Sequence, residues 1–445
     1  MMRPVVAAIV ALALAGSAAP ASAYPVDGYD RTGIRRLDRD LRIMQGEVRG
    51  PRRHPGQYLP TGEVYPRWHV SDGATLPPPD ADFSRQLRAL LDADARRNYG
   101  IAVLDLSDPQ HPLYGTHNAD LRANVGSVGK ILVALAVFQQ LADLYPDDLD
   151  ARLRVLHDTW ITADIFSQHD HHHVPFWNPE TKAFSSRSIR IGDRATLWEF
   201  LDWMMSASSN SAAAMVQKEL IALSHFGRAY PPTADQEAAF FADTSNRALG
   251  EIMLTAMNDA VARNGLDPER FRQGSFFTRS GNKRVSTTSS YGTPEQLVQY
   301  LFRLEAGTLV DAFSSTEIKR LLYMTQRRIR YASHPALNDA AVYFKSGSFF
   351  QCLNGPGSCK KYHGDKTNRL ASVAIIESPA GAPRYHYLVA VMSNVLYVNS
   401  AVAHQTLAMR IHRLIERIHR QPAATPTPEP TYAPVPVDGS GNDDE

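Results

Sequence analysis

Apolar runs of strand length stand at both ends of this chain, with a long helical pattern between them. YGIAVLDLS, from Tyr99, reads as a strand and LYGTHN, from Leu113, as its hairpin return. The next such runs, AAVYFKSGSFF, RLASVAIIES and YHYLVAVMSNVLY, begin only at Ala340. Strands satisfy their backbone groups by pairing, so the two ends are expected to meet in one sheet and the helical part to form an insertion. The expected fold is α+β, an α/β sandwich whose antiparallel sheet is formed by N- and C-terminal parts around an inserted helical region. A chain of 445 residues has ample length for the core of such a body.

Helical spacing is clearest in FSRQLRALLDADARR before the first strand, in ATLWEFLDWMMSASSNSAAAMVQKELIAL, and in the terminal SAVAHQTLAMRIHRLIERIH. In YGTPEQLVQYLFRLEAG, Thr293 is expected as the N-cap with Pro294 at the first helical position.

Outside this body the composition changes. Residues 1–23 carry Arg3, an apolar core and the small-x-small ending Ala21-Ser22-Ala23, which describe a secretory signal peptide. The apolar run is too short for a membrane anchor, so a periplasmic or secreted protein without a transmembrane segment after cleavage is expected. Residues 24–80 are rich in Arg, Pro and Gly without a sustained period, and read as an extension wrapped on the domain or partly disordered. The domain proper is expected over 81–420, and the Pro-rich, then acidic 421–445 as a disordered tail. With 47 basic against 46 acidic residues, no overall field points to nucleic acid, and a small or neutral partner is expected.

The chemistry centres on NVGSVGKILVALAVF, Asn124 to Phe138, which can be read as a phosphate-binding loop or as a serine nucleophile with a lysine one turn on. The phosphate reading fails at both ends: Asn124 stands where the first glycine belongs, and Ile131 where the magnesium-binding hydroxyl belongs. The alternative is S-x-x-K, Ser127 to Lys130, opening an apolar helix, where side chains three apart share a face. Alone this motif is weak, because Ser280 to Lys283 and Ser358 to Lys361 repeat it without an apolar helix. Two further short motifs follow in order. Ser208-Ser209-Asn210 forms S-x-N as a helical segment passes into SAAAMVQ, and Lys345-Ser346-Gly347 forms K-[ST]-G inside a strand-like run.

With these three motifs in this order, the sequence from about Asp82 to His419 resembles the serine β-lactamase and penicillin-binding protein superfamily, in the layout of a class A β-lactamase-like domain. The resemblance implies that Ser127 is the nucleophile, Lys130 helps remove its proton and Ser208 passes a proton to the leaving nitrogen. It implies that Asn210 holds the substrate amide, and that Lys345 and Ser346, with Gly347 completing the motif, meet the substrate carboxylate. The oxyanion hole would be made by the N–H groups of Ser127 and Ser348. Physical chemistry agrees: a serine needs an adjacent base, a lysine shielded from water can have its pKa lowered enough to be one, and a helix N-terminus favours an oxyanion.

The pattern departs from class A enzymes where a glutamate should activate the deacylating water. RQGSFFTRSGNKRV has no acid, and Glu269, the nearest one upstream, is either that base or a solvated residue of a first helical turn. The expected function is a secreted serine hydrolase forming an acyl-enzyme with small-molecule β-lactams or D-alanyl-type amides, acylating faster than it deacylates. The alternatives are a D-Ala-D-Ala peptidase acting on peptidoglycan stem peptides and a penicillin-binding sensor that does not turn over. An esterase of related fold is disfavoured by Ser208. No cofactor is expected. Cys352 and Cys359 flank LNGPGS and are expected to pair in an oxidising compartment. The HDHHH run, His169 to His173, is read as a surface loop near the site mouth rather than a metal centre, since adjacent histidines cannot all reach one ion.

Overall fold

A computed structural model describes residues 27–68, 75–325 and 328–420. The signal peptide and tail expected at 1–23 and 421–445 lie outside the described residues. Two strands, β1 (Tyr99–Asp105) and β2 (Leu113–His117), precede the helical region. Within that region β3 (Trp160–Thr162) pairs β6 (Arg194–Thr196) and β4 (Val174–Asn178) pairs β5 (Ala183–Arg187) as small ribbons. Then come β7 (Ala341–Gln351), β8 (Thr367–Ser378) and β9 (Tyr385–Asn394). The main sheet has the order β2-β1-β9-β8-β7. Its pairings are all antiparallel, and β1 joins the late strands through Tyr99↔Ser393 to Asp105↔Tyr387. The sheet is thus closed by the two ends of the chain, as the sequence pattern required.

Alternate residues of each central strand enter different cores, the period of two expected of a pleated strand. Tyr99, Ile101 and Val103 of β1, with Val342 and Phe344 of β7, pack beneath Phe83 and Leu87 of the helix Ala81–Ala89 and Leu407, Ile411 and Leu414 of the helix Ser400–Ile418. Ala102 and Leu104, with Ala341 and Tyr343, face the inserted helices. Because both faces are covered, these strands read in sequence as continuous apolar runs rather than alternating ones. The helix Lys130–Leu144 runs through the inserted layer and is buried without interruption from Lys130 to Gln139. With the turn Gly126–Gly129 it forms a stretch of 19 residues, long and apolar enough to cross a membrane, yet it is mostly buried as the spine of the domain core.

Thr293 caps the helix Pro294–Glu305 as expected, its side chain accepting from the Gln296 N–H. Two elements differ from expectation. The helix before β1 ends at Ala89, short of Arg97. The long middle segment is two helices, Leu197–Ser206 and Asn210–Phe226, broken at Ala207–Ser209. Ser209 supplies the reason for the restart: its hydroxyl accepts from the Ala212 N–H as an N-cap.

The described part of the expected extension is wrapped on the domain and shares its core. Ile34, Leu37, Leu59, Val64 and Trp68 join the apolar cluster of the inserted layer. A helix, Arg35–Met44, lies where no period was legible. Arg36 forks onto the buried Asp202 carboxylate at 2.7 and 2.6 Å and also donates to the Met324 carbonyl. Further on, Arg67 Nε meets Glu377 at 2.9 Å, beside the fully buried Lys319 that bridges Glu305 and Glu377. Removing one partner of such a buried pair strands the other charge out of water. Arg36→Ala should therefore lower unfolding stability by about 3 to 5 kcal/mol, measured by urea denaturation, whereas Arg85→Ala, at an exposed pair, should change it by less than about 1 kcal/mol.

Candidate active site

Three segments distant in sequence meet at the start of the Lys130 helix. Ser127 sits in a 3-10 turn, Gly126–Gly129, that leads directly into that helix. Lys130 Nζ lies 2.9 Å from Ser127 Oγ, 2.6 Å from the Ser208 carbonyl oxygen and 2.8 Å from Asn210 Oδ1. Burial pushes its pKa down to about 7, with Arg330 adding to the shift and Asp170 opposing it. In the neutral form two N–H bonds serve the two carbonyl oxygens, leaving the nitrogen lone pair for the Ser127 hydroxyl. Such an arrangement can serve as a base pre-oriented on a nucleophile.

The second segment is the break between helices. Ser208 holds φ 59, a left-handed conformation that a non-glycine residue adopts at an energetic cost of about 1 to 3 kcal/mol. This strain points its carbonyl at Lys130 while its hydroxyl accepts from Lys345 Nζ at 2.7 Å. Ser208 Oγ is also 3.5 Å from Lys130 Nζ, so it stands between two amines. Lys345 is likewise fully buried, and burial, Lys130 and Arg330 hold its pKa well below the usual lysine range.

The third segment is β7, which passes against the Ser127 turn. A Cβ built on Gly347 would lie 2.2 Å from the Val125 oxygen and 2.4 Å from the Ser127 nitrogen, so no side chain fits there. Gly126, at φ 56, approaches the Ser348 nitrogen from the other side of this contact. The two N–H groups expected to form the oxyanion hole, Ser127 and Ser348, therefore belong to chains in direct contact. Gly129 has a different neighbour: a Cβ there would meet Gln273 Oε1 at 2.1 Å, so the Gln273 amide would have to move to admit a side chain.

Ser127, Ser208, Asn210, Lys345, Ser346 and Ser348 all line one cleft of about 620 Å³. A larger hollow of about 890 Å³, lined by Arg88, Arg96, Arg97 and His117, holds no serine, lysine or cysteine. Sequence reasoning missed Arg330, held at φ 53, whose guanidinium donates to Ser346 Oγ at 2.7 Å, Ser348 Oγ at 3.0 Å and the Tyr362 hydroxyl at 3.1 Å. It also missed Asp170. This carboxylate accepts from the Asn210 N–H, the Ser211 N–H and the Ser209 hydroxyl at 2.7 to 2.9 Å, capping the helix whose first residue is Asn210. His171, His172 and His173 line the same cleft, placing the histidine run at the site mouth.

Glu269 is not brought to this cleft. Its carboxylate is 77% exposed and faces Arg272 at 4.0 Å, because the backbone there turns on Asp267 and carries the side chain outward. The loop from Arg272 onward is pinned by Gln217, whose amide donates to the Ser275 carbonyl and accepts from the Phe277 N–H. It presents the Phe277 ring to Lys130, with Nζ 4.7 Å from the ring centroid. Among the described residues, none lining the cleft is an aspartate or glutamate. Ser280 is buried in the short helix Arg279–Arg284, and Ser358 donates to Gly355 on an exposed turn, so neither reproduces the Ser127 setting. Cys352 and Cys359 are joined in a disulfide that closes the turn after β7. Asp170, His171 and His172 have ligand atoms within 4.8 Å of one another, but both Asp170 oxygens already accept N–H or O–H bonds from the chain.

A sequence model of the beta-lactamase enzyme family matches residues 82–411. Among solved structures, a β-lactamase from Sphaerobacter thermophilus is similar at 16% identity and TM-score 0.49, over 76% of this chain and 97% of that one. A β-lactamase from Chitinophaga pinensis is similar at 15% identity and TM-score 0.49, over 76% and 99%. The protein PBP-A is similar at 14% identity and TM-score 0.48, over 77% and 100%. No curated protein matches the chain.

The lowered pKa of Lys130 has a measurable consequence. Protonation removes the lone pair that faces Ser127, so acylation by a chromogenic cephalosporin should fall as pH drops through about 7 and level off above it. Lys130→Arg, which stays charged, should lower the stopped-flow acylation rate by about 10² or more at every pH.

Proposed function

The chain belongs to the beta-lactamase enzyme family, within the serine β-lactamase and penicillin-binding protein superfamily, and on that premise we propose that it is an exported serine hydrolase whose Ser127 is acylated by β-lactams or D-alanyl-type peptide amides. The observation that carries this reading is Lys130 Nζ at 2.9 Å from Ser127 Oγ, with carbonyl oxygens of Ser208 and Asn210 at 2.6 and 2.8 Å as its other short contacts. Lys130 takes the Ser127 proton as Oγ adds to the acyl carbon. Ser208, joined to both amines, returns a proton to the departing nitrogen. Asn210, at the N-terminus of its helix, is placed to hold the substrate amide, and the N–H groups of Ser127 and Ser348 to stabilise the oxyanion. Lys345, Ser346 and Arg330 offer a cationic, hydroxyl-bearing wall for a substrate carboxylate.

A specific observation also favours the peptidase reading: the loop that faces Lys130 offers Phe277 and no carboxylate. Acylation has its machinery, whereas hydrolysis of the ester lacks the usual acidic base, so release of a bound β-lactam is the slow step. The test is electrospray mass spectrometry after penicillin treatment, followed by peptide mapping. A Ser127 adduct and a fast burst before slow turnover are expected, with no adduct in Ser127→Ala. Labelling that survives in Ser127→Ala overturns the nucleophile. Glu269→Gln should leave turnover within about a factor of two, since an exposed carboxylate outside the cleft cannot hold the attacking water; a large fall would restore it as the base.

A further inference from the structure

Resolving an acyl-serine requires a group that takes a proton from water, and among the three histidines that line the cleft outside the three motifs, His172 is the one whose ring is hydrogen-bonded to a buried carboxylate. His172 lines the cleft with Ser127 and is anchored by Asp170, with Nδ1 2.6 Å from Asp170 Oδ1 and the backbone N–H of His172 on the same oxygen at 3.0 Å. Asp170 is 1% exposed in its side chain and His172 27% exposed, the geometry of a carboxylate behind an imidazole that faces solvent. A bond to a carboxylate oxygen requires Nδ1 to carry the proton, which leaves the lone pair on Nε2. Three further donors to Asp170, from Ser209, Asn210 and Ser211, lock the pair to the helix start that positions Asn210 against Lys130.

The geometry points to His172 as the general base that activates water for hydrolysis of the Ser127 acyl-enzyme, oriented by Asp170. The inference rests on the acyl-enzyme reading above. Water adds through oxygen to the ester carbonyl carbon as Nε2 takes one of its protons. The tetrahedral species then collapses with cleavage of the bond from carbon to Ser127 Oγ, the electron pair leaving on Oγ. Oγ is reprotonated by the proton that the imidazolium gives back, relayed through water in the cleft, so that His172 and Lys130 both end as they began and the sum is ester plus water giving acid plus free serine. Burial holds the His172 pKa below the usual value, with Lys130 adding to that shift and Asp170 opposing it, so the ring is neutral at pH 7. The charged or titratable groups that act on it are Asp170, His171 and Lys130, and the same cleft is lined by His173, Arg330, Lys345, Lys361 and Tyr362.

The experiment follows decay of the penicillin adduct on the full chain by mass spectrometry after removal of free drug. Formation of the adduct tests the acyl-enzyme reading, and its lifetime tests His172. His172→Ala and His172→Gln should form the adduct but keep it about 10² to 10⁴ times longer, with the acid limb of deacylation lost. Added imidazole should shorten the lifetime in His172→Ala, since the cleft is open to a small base. A decay rate equal to wild type in both variants overturns the assignment. So does a longer lifetime that imidazole does not shorten and whose pH profile keeps its acid limb, which would give His172 a structural role. If the wild-type chain forms no adduct, the acyl-enzyme reading fails first and this inference with it.

Discussion

A lysine amine sealed from water at the foot of a buried, mostly apolar helix is the constraint on which the rest of the structure depends. An ammonium there would lose its hydration, and the interior answers by lowering its proton affinity to about 7 rather than by pairing it with an acid. Neutral Lys130 still needs acceptors for its N–H bonds. These are the Ser208 carbonyl and the Asn210 amide oxygen, both at the break between two helices. The left-handed Ser208, the N-cap at Ser209 and the Asp170 carboxylate against the next N–H groups are the means by which that break is held open toward the amine.

The sheet then supplies what a helical layer cannot. Along β7, Tyr343 and Lys345 share a face because they are two residues apart, so the face that packs the inserted helices also delivers the second amine to Ser208. Gly347, two further on, is the point at which the strand touches the Ser127 turn. Pairing of β7 with β8 through Lys345↔Val373 fixes this register, and β8 with β9 carries it to β1. A slip of one residue would turn Lys345 away from the cleft and bring a serine in place of Gly347 against Val125, where no Cβ fits.

What was legible in the sequence follows from how local each signal is. The strand runs, the cap at Thr293 and the spacing of Ser127 and Lys130 depend on a few neighbouring residues, and they stand in the structure as read. The helix Arg35–Met44 escaped because its apolar stripe is thin and one of its charges, Arg36, is buried against Asp202, a partner 166 residues away. Arg330 and the Asp170 to His172 pair escaped for the same reason: no spacing rule links them to Ser346 or Asn210, and only folding puts them there. Glu269 was singled out by position along the chain, but its direction is set by the turn at Asp267, which points it into solvent.

The two amines also explain why a cleft without acids can be reactive before substrate arrives. Lys345 and Lys130 share Ser208; Lys130 adds to the lowering of proton binding at Lys345, and Arg330 adds to both shifts. A substrate carboxylate docked beside Lys345 and Arg330 would offset the burial of Lys345 and draw a proton onto it. The two opposite charges largely offset each other at Lys130, so the carboxylate can be held without drawing a proton onto the amine that faces Ser127. On the proposed reading, the second amine then serves binding and the first serves chemistry, and a ligand lacking the carboxylate would leave Lys345 neutral beside Ser208.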